Sequence, residues 1–183
     1  MNFSWLKNNL QGELYTDNLH KIIYSTDASV YKETPLGVVF PRDIDDLKSI
    51  ITFANENAIS LIPRTAGTSL AGQVVGSGLV VDVSKYFNSI IEINPQEKYA
   101  IVQPGVILDA LNRELKKYNL LFGPETSTSN RCMIGGMLGN NSCGAHSLIY
   151  GSVRDHVLAV KSILSDGSEV IFEDIDKDTF SHK

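Results

Sequence analysis

Apolar and polar positions run along this chain in blocks whose period changes, and those changes assign its elements. Gly37-Val38-Val39-Phe40 is a short apolar run stopped by Pro41, which reads as a strand. Asp43 or Asp45 can cap the helix that follows, where Leu47, Ile50, Ile51 and Ala54 recur at helical spacing. Ile59 to Ile62 and Leu79 to Val83 are two further apolar runs and read as strands. Strand, helix, strand over this length is a βαβ-like unit, hence a small α/β layer. Residues 1–35 have mixed polarity; Trp5, Leu6, Leu10 and Leu14 have approximate helical spacing and predict one or two helices, then a loop.

The pattern changes at Ile90. Ile90 to Ile93 and Tyr99 to Val102 flank Asn94-Pro95-Gln96-Glu97-Lys98, a hairpin with a turn between its strands. Pro104-Gly105 breaks the second strand, and Ile107, Leu108, Leu111, Leu115 and Tyr118 then mark one face of a helix. Val160 to Leu164 and Glu169 to Phe172 flank Ser165-Asp166-Gly167-Ser168, an Asp-Gly hairpin signal. The expected fold class is α+β, built of two α/β subdomains. Residues 1–89 form a small βαβ-type layer, and 90–183 a mostly antiparallel sheet with helices, with the seam near residues 84–90.

Composition narrows the class. The chain has 183 residues, 43% hydrophobic and 20% charged, the balance of a soluble globular protein. A net charge of −5, with no basic cluster beyond Lys116-Lys117, argues against nucleic acid as a partner. No apolar run approaches the roughly 18 residues of a transmembrane segment. The N-terminus, Met-Asn-Phe-Ser-Trp-Leu-Lys, lacks the basic and apolar regions of a signal peptide. The expected location is cytoplasmic, with peripheral membrane docking of the full-length protein left open. Cys132 and Cys143 do not make a disulfide scaffold and are expected as buried free thiols. The four histidines, His20, His146, His156 and His182, form no HExxH or H-x-E arrangement, so no metal site is expected.

The chemistry concentrates in two segments. Pro63-Arg64-Thr65-Ala66-Gly67-Thr68-Ser69-Leu70-Ala71-Gly72-Gln73 joins two predicted strands. Glycine permits the positive φ of an anion-binding nest, and small side chains let backbone N–H groups come close to a phosphate. Gly67 and Gly72 have P-loop spacing, but Gln73 and Val74 stand where that motif needs Lys and then Ser or Thr. The dinucleotide fingerprint is missing too, because a strand follows where it requires a helix. The second segment runs Phe122-Gly123-Pro124-Glu125-Thr126-Ser127 and then Ile134-Gly135-Gly136-Met137-Leu138-Gly139-Asn140-Asn141-Ser142-Cys143-Gly144-Ala145. Its glycines and amides can bring N–H donors against a flat polar ligand. A close-packed helix or loop explains the same glycines, as an ordinary turn explains the first loop.

Taken together, these segments resemble the FAD-binding domain of the vanillyl-alcohol oxidase / para-cresol methylhydroxylase flavoproteins, in the branch of D-lactate dehydrogenases and glycolate oxidase-like enzymes. Tyr24 to Ser29 looks like the entry segment of the branch whose flavin module is fused to a C-terminal iron–sulfur region, Gly37 to Pro41 like the family's strand before its first helix, and Pro63 to Gln73 like its pyrophosphate loop. Val102-Gln103-Pro104-Gly105, Ile134-Gly135-Gly136, Asn140-Asn141-Ser142 and Tyr150-Gly151 match its second cofactor-contacting half. The resemblance implies that Arg64, Thr65, Ala66, Gly67, Thr68, Ser69, Gly72 and Gln73 hold the FAD pyrophosphate. It assigns Pro104, Gly105, Pro124, Ser127, Ile134, Gly135, Gly136, Asn140, Asn141, Ser142, Gly144 and Gly151 to the rest of the cofactor.

Some relatives attach FAD through a histidine near the pyrophosphate loop. None lies between His20 and His146, so noncovalent FAD is expected. His146 reads either as a contact to the cofactor or as an ordinary polar histidine at a helix end. The resemblance implies oxidation of a small 2-hydroxy acid such as D-lactate or glycolate, with electrons passed to a quinone, a cytochrome or a downstream iron–sulfur region. Such relatives continue past the Asp-Gly hairpin into a strand that completes the FAD site and a cap domain that binds substrate. The chain is therefore expected to be an N-terminal piece, inactive alone and without catalytic residues. A noncatalytic nucleotide-binding or regulatory module is the alternative, and a small interaction domain whose glycines serve only packing is another.

Overall fold

The structure, a computed structural model, describes residues 2–174. The end of the second expected subdomain, residues 175–183 with His182, lies outside the described residues. The elements in order are α1 (Ser4–Asn8), β1 (Glu13–Tyr15), α2 (Asn18–Ile23), β2 (Gly37–Phe40), α3 (Ile44–Glu56), β3 (Leu61–Arg64) and β4 (Leu79–Asp82). They continue with β5 (Ile90–Asn94), β6 (Tyr99–Val102), α4 (Leu108–Leu115), α5 (Ile134–Gly139), α6 (Ser147–Tyr150), β7 (Ala159–Ile163) and β8 (Glu169–Glu173). Short 3-10 turns at Lys116–Tyr118 and Val153–His156 follow α4 and α6.

The first sheet has the order β1-β2-β4-β3, with β4 parallel to both neighbours and β1 antiparallel to β2. β4 is buried along its whole length, which is why Leu79-Val80-Val81 is a continuous apolar run with no alternation. Helix α3 starts where the Asp43 carboxylate accepts from Asp46 N at 2.9 Å. Its buried Ile50 and Phe53 pack with Leu6, Val39, Leu79 and Val81. The predicted strand Ile59 to Ile62 is instead Leu61–Arg64. Ala58 takes φ 50° at the end of α3 and Ile59 N donates to Ala54 O, so Ile59 belongs to the helix exit. Pro63 is tolerated inside β3 because β3 is an edge strand, where a missing N–H costs no ladder bond.

The N-terminal segment differs from its helical expectation. Two helices do form there, Ser4–Asn8 and Asn18–Ile23, but the spaced apolar residues do not share one of them: Leu10 follows α1 and Leu14 lies in β1, at the sheet edge. The cause is Asp46, 2% exposed, whose carboxylate accepts from Gln11 N at 2.8 Å, Gly12 N at 2.9 Å and Arg42 N at 2.8 Å. Those bonds fix the bend at residues 11–12 that leads into β1 beside β2. Gly12 is required for this approach, since a Cβ there would stand 2.0 Å from Phe40 O.

In the second half, the antiparallel content is divided between two hairpins, β5–β6 and β7–β8. Leu111 and Leu115 of α4 pack with Val106 on the apolar side of β5–β6, against Ile90, Ile93, Ala100 and Val102. Tyr118 leaves that buried face: it is 48% exposed in the 3-10 turn, where Asn119 at φ 55° ends the helix. A further cluster of Leu108, Cys132, Met137 and Val153 seats α5. The expectation of two buried thiols holds for Cys132 and fails for Cys143, which is exposed because it follows α5 in an open loop.

Candidate functional site

The loop Thr65–Gly78 leaves the C-terminal end of β3 and returns to the start of β4, so its first residues stand outside the carboxyl ends of parallel strands. Ligands of open α/β sheets gather in that place. Among the described residues, no backbone carbonyl accepts from the consecutive N–H groups of Thr65 to Leu70. Gly67 has φ 64° and Gly72 φ 70°, the left-handed region that lets successive N–H groups converge.

The loop is held from one side by the segment after α2. Ala28 N donates to Gly67 O at 3.1 Å, and Arg64 Nη1 donates to Thr26 O at 2.9 Å. The Tyr31 ring closes on Gly72, where a Cβ would meet it at 2.6 Å. Arg64 also lies over the Tyr24 ring at 4.9 Å, and the Tyr24 hydroxyl donates to the buried Asp82 carboxylate at 2.7 Å. Burial, and then that bond to Asp82, push the Tyr24 hydroxyl well above the usual tyrosine range. Local sequence gives no sign of these roles for Thr26, Ala28, Tyr31 and Asp82, because each depends on a partner far along the chain.

The second segment meets the loop from the other side. Gln73 Nε2 donates to Asn140 Oδ1 at 2.9 Å. Gly136 faces Thr65, whose Oγ1 would be 2.7 Å from a Cβ at position 136. Thr65, Gln73, Gly136 and Asn140 thus share one face. Gly139 beside them has nothing within 4 Å of where a Cβ would stand, so this part of α5 is open.

The other expected residues occupy different places. Pro104 and Gly105 lie against the start of α5: Gly135 N donates to Pro104 O at 2.8 Å and Ile134 N to Val106 O at 2.9 Å. Ser142 is 8% exposed and bonded within the fold, to Met137 O and from Val153 N. Asn141 Oδ1 accepts from Arg154 N at 3.0 Å, at the second 3-10 turn. Gly151 has φ 69° in the turn before it. Pro124 is buried, Ser127 is exposed, and Gly144 packs on Glu125 O, where a Cβ would come within 2.0 Å. His146 is the residue before α6, exposed and paired with Glu125 at 2.9 Å. Arg64, Ala66, Thr68 and Ser69 are half-buried along the first loop; Ser69 Oγ accepts from Ala71 N at 3.1 Å.

This donor set is neutral and made of backbone and amide groups, which suits a diphosphate bound without a metal. No group of three or more metal-ligating side chains occurs among the described residues. Unpaired N–H groups with glycine at the point of closest approach fit the phosphates, and the open Gly136–Asn140 face fits a flat polar body beside them.

Known proteins resemble the chain over the same span. It is 44% identical over 159 residues to D-2-hydroxyglutarate dehydrogenase of Escherichia coli (strain K12), covering 85% of this chain and 16% of that protein. The Pseudomonas putida enzyme of the same name is 40% identical over 163 residues, covering 87% of this chain and 16% of its own length. Glycolate oxidase subunit GlcD of Bacillus subtilis (strain 168) is 34% identical over 152 residues, 82% of this chain and 32% of that one. The chain therefore spans about a sixth to a third of the length of these relatives. Among solved structures, 6-hydroxy-D-nicotine oxidase from Arthrobacter nicotinovorans superposes with a TM-score of 0.77 at 22% identity, over 90% of this chain and 36% of that one. The BBE-like 1 protein of Physcomitrella patens gives 0.81 at 18% identity, over 94% and 38%. Both share the fold. A family profile described as FAD binding domain matches residues 35–173, from before β2 to the end of β8 and through both loops. The chain belongs to the family of FAD binding domains, as the resemblance carried by those loops implies.

Proposed function

We propose that this chain is the FAD-holding part of a flavin-dependent dehydrogenase that oxidises a 2-hydroxy acid. The observation that carries the reading is the run of N–H groups from Thr65 to Leu70, left without carbonyl partners beside the Gln73–Asn140 bond that joins the two loops. The names of the relatives point to the substrate class: D-2-hydroxyglutarate, glycolate and D-lactate are all 2-hydroxy acids.

In this reading Thr65 to Ser69 donate to the diphosphate, each charge-assisted bond worth about 1.5–3 kcal/mol. Gly67 and Gly72 let the backbone approach, with Arg64, Ala66 and Gln73 framing the loop. Gly135, Gly136 and the Asn140–Gly144 segment border the rest of the cofactor, over ground built by Pro104, Gly105, Pro124, Ser127, Ile134 and Gly151. Residues 1–89 and 90–183 are two subdomains of one cofactor-binding unit. Bound FAD would supply the hydride acceptor for oxidation of a CH–OH group. The cofactor is held noncovalently, since no histidine stands in or near the first loop. The substrate meets a cap domain elsewhere in the protein, and the electrons leave through an iron–sulfur region or a quinone. The protein works in the cytoplasm, with docking to a membrane surface open to it.

The test is direct. Full-length protein should purify yellow, release FAD on denaturation, and bleach under anaerobic conditions with D-2-hydroxyglutarate, D-lactate or glycolate. Yellow protein that no 2-hydroxy acid bleaches would favour the noncatalytic nucleotide-binding reading, and colourless full-length protein would end the flavin reading. Flavin that stays with the denatured chain would overturn noncovalent attachment.

A further inference from the structure

Arg64 ends β3 and opens the loop, and it is the single Lys or Arg between Lys48 and Lys85. A cation here suggests a direct partner for phosphate, but its surroundings describe another task. The guanidinium lies over the Tyr24 ring, its Cζ 4.9 Å from the centroid. It also borders Gly67: a Cβ there would stand 2.6 Å from Nη2, 2.9 Å from Cζ and 3.1 Å from Nε. One planar group thus touches both an aromatic ring and the left-handed residue of the loop.

Both contacts are anchored. The Tyr24 hydroxyl donates to Asp82 Oδ2 at 2.7 Å. Asp82 is 4% exposed and pairs in register with Arg64 across β3 and β4. Ala28 N holds Gly67 O at 3.1 Å, and Arg64 Nη1 holds Thr26 O at 2.9 Å, so the segment after α2 grips both the side chain and the loop. Asp82, Tyr24, Arg64 and Gly67 form one continuous line of contacts from the sheet to the loop.

We propose that Arg64 is a positioning residue for the diphosphate loop: its planar guanidinium, stacked on Tyr24, fixes the left-handed turn at Gly67 and so aims the N–H groups of Thr65 to Leu70. The inference rests on the FAD reading above and assigns Arg64 a role through Gly67 instead of on the phosphates. A guanidinium is needed, because one flat group lies over the ring, bonds Thr26 O and borders Gly67 at once. Lysine would keep the charge and lose the fit.

The experiment uses the full-length protein, stripped of flavin and titrated with FAD, ADP and riboflavin, beside R64K, R64M, Y24F and Y24A. ADP reports on the diphosphate loop, and riboflavin on the ring site without phosphates. R64K and R64M should both weaken FAD and ADP by at least about tenfold, the size expected for one hydrogen bond and one cation–π contact. Riboflavin binding should stay unchanged, Y24F should cost less ADP affinity than Y24A, and the Y24A/R64M double variant should be no weaker than R64M. If R64K keeps wild-type ADP affinity while R64M loses it, the charge acts directly and the positioning role is overturned. Equal loss of riboflavin, which a general loss of structure would cause, overturns it as well. Should R64M not fold, R64K and Y24F carry the comparison. Wild-type protein without affinity for FAD or ADP would end the cofactor reading itself, before any variant is compared.

Discussion

At the scale of single residues, two positions have consequences larger than their size. Gly67 combines φ 64° with a guanidinium where a side chain would go. Gly67→Val forces a β-branched residue into the left-handed region, at roughly 1–2 kcal/mol of backbone strain, and pushes Arg64 aside. The fold should survive with a slightly lower melting temperature, while FAD retention through gel filtration is lost; unchanged retention would refute the assignment of the nest. Asp46 is the opposite case, a buried carboxylate that touches no candidate ligand site. Removing it in Asp46→Ala strands the N–H groups of Gln11, Gly12 and Arg42. The expected cost is about 3 kcal/mol in chemical denaturation, with little effect on cofactor affinity once the protein is folded. Gly67 was legible from the loop that contains it, whereas nothing local separates Asp46 from Asp43 and Asp45 beside it.

At the scale of elements, sequence periodicity located β2, α3, β4, the β5–β6 hairpin, α4 and the β7–β8 hairpin, because each follows from local spacing and turn chemistry. It missed β1, whose three residues have no alternation of their own and are extended because β2 and Asp46 hold them there. β1 also has a charge dependence that can be measured. The Glu13 carboxyl is bound first by Lys85, then by the Tyr86 and Tyr15 hydroxyls, which lower it from 4.5 to about 2. A folded-state value below the unfolded one contributes stability that is complete above about pH 4.5 and lost as the pH falls toward 2. Unfolding midpoints taken between pH 6 and pH 2 should therefore fall less steeply in Glu13→Gln than in the wild type. Parallel curves would rule out this contribution.

At the scale of the whole molecule, contacts between residues far apart in sequence tie the two halves of the chain together. The last hairpin reaches α3 through Glu169, which binds both Lys48 and Lys161 at 2.7 Å, and through Asn55 Nδ2 donating to Ser165 O at 2.7 Å. The loops meet through Gln73 and Asn140. That exposed bond should matter little for stability, within about 0.5 kcal/mol, yet Gln73→Ala and Asn140→Ala should each weaken FAD by severalfold. The double variant should be no weaker than either single one if the pair acts as a unit; fully additive losses in a fluorescence titration would contradict that. By itself the sequence determined most of the strands and the two long helices, and that two loops are rich in small residues, because spacing and backbone sterics act between near neighbours. Tertiary structure alone decided that β4 inserts between β2 and β3, that β1 exists, that Arg64 meets both Tyr24 and Gly67, and that Gln73 finds Asn140 across 67 residues. Those facts depend on which surfaces are buried against each other, and no local preference encodes a contact between residues so far apart.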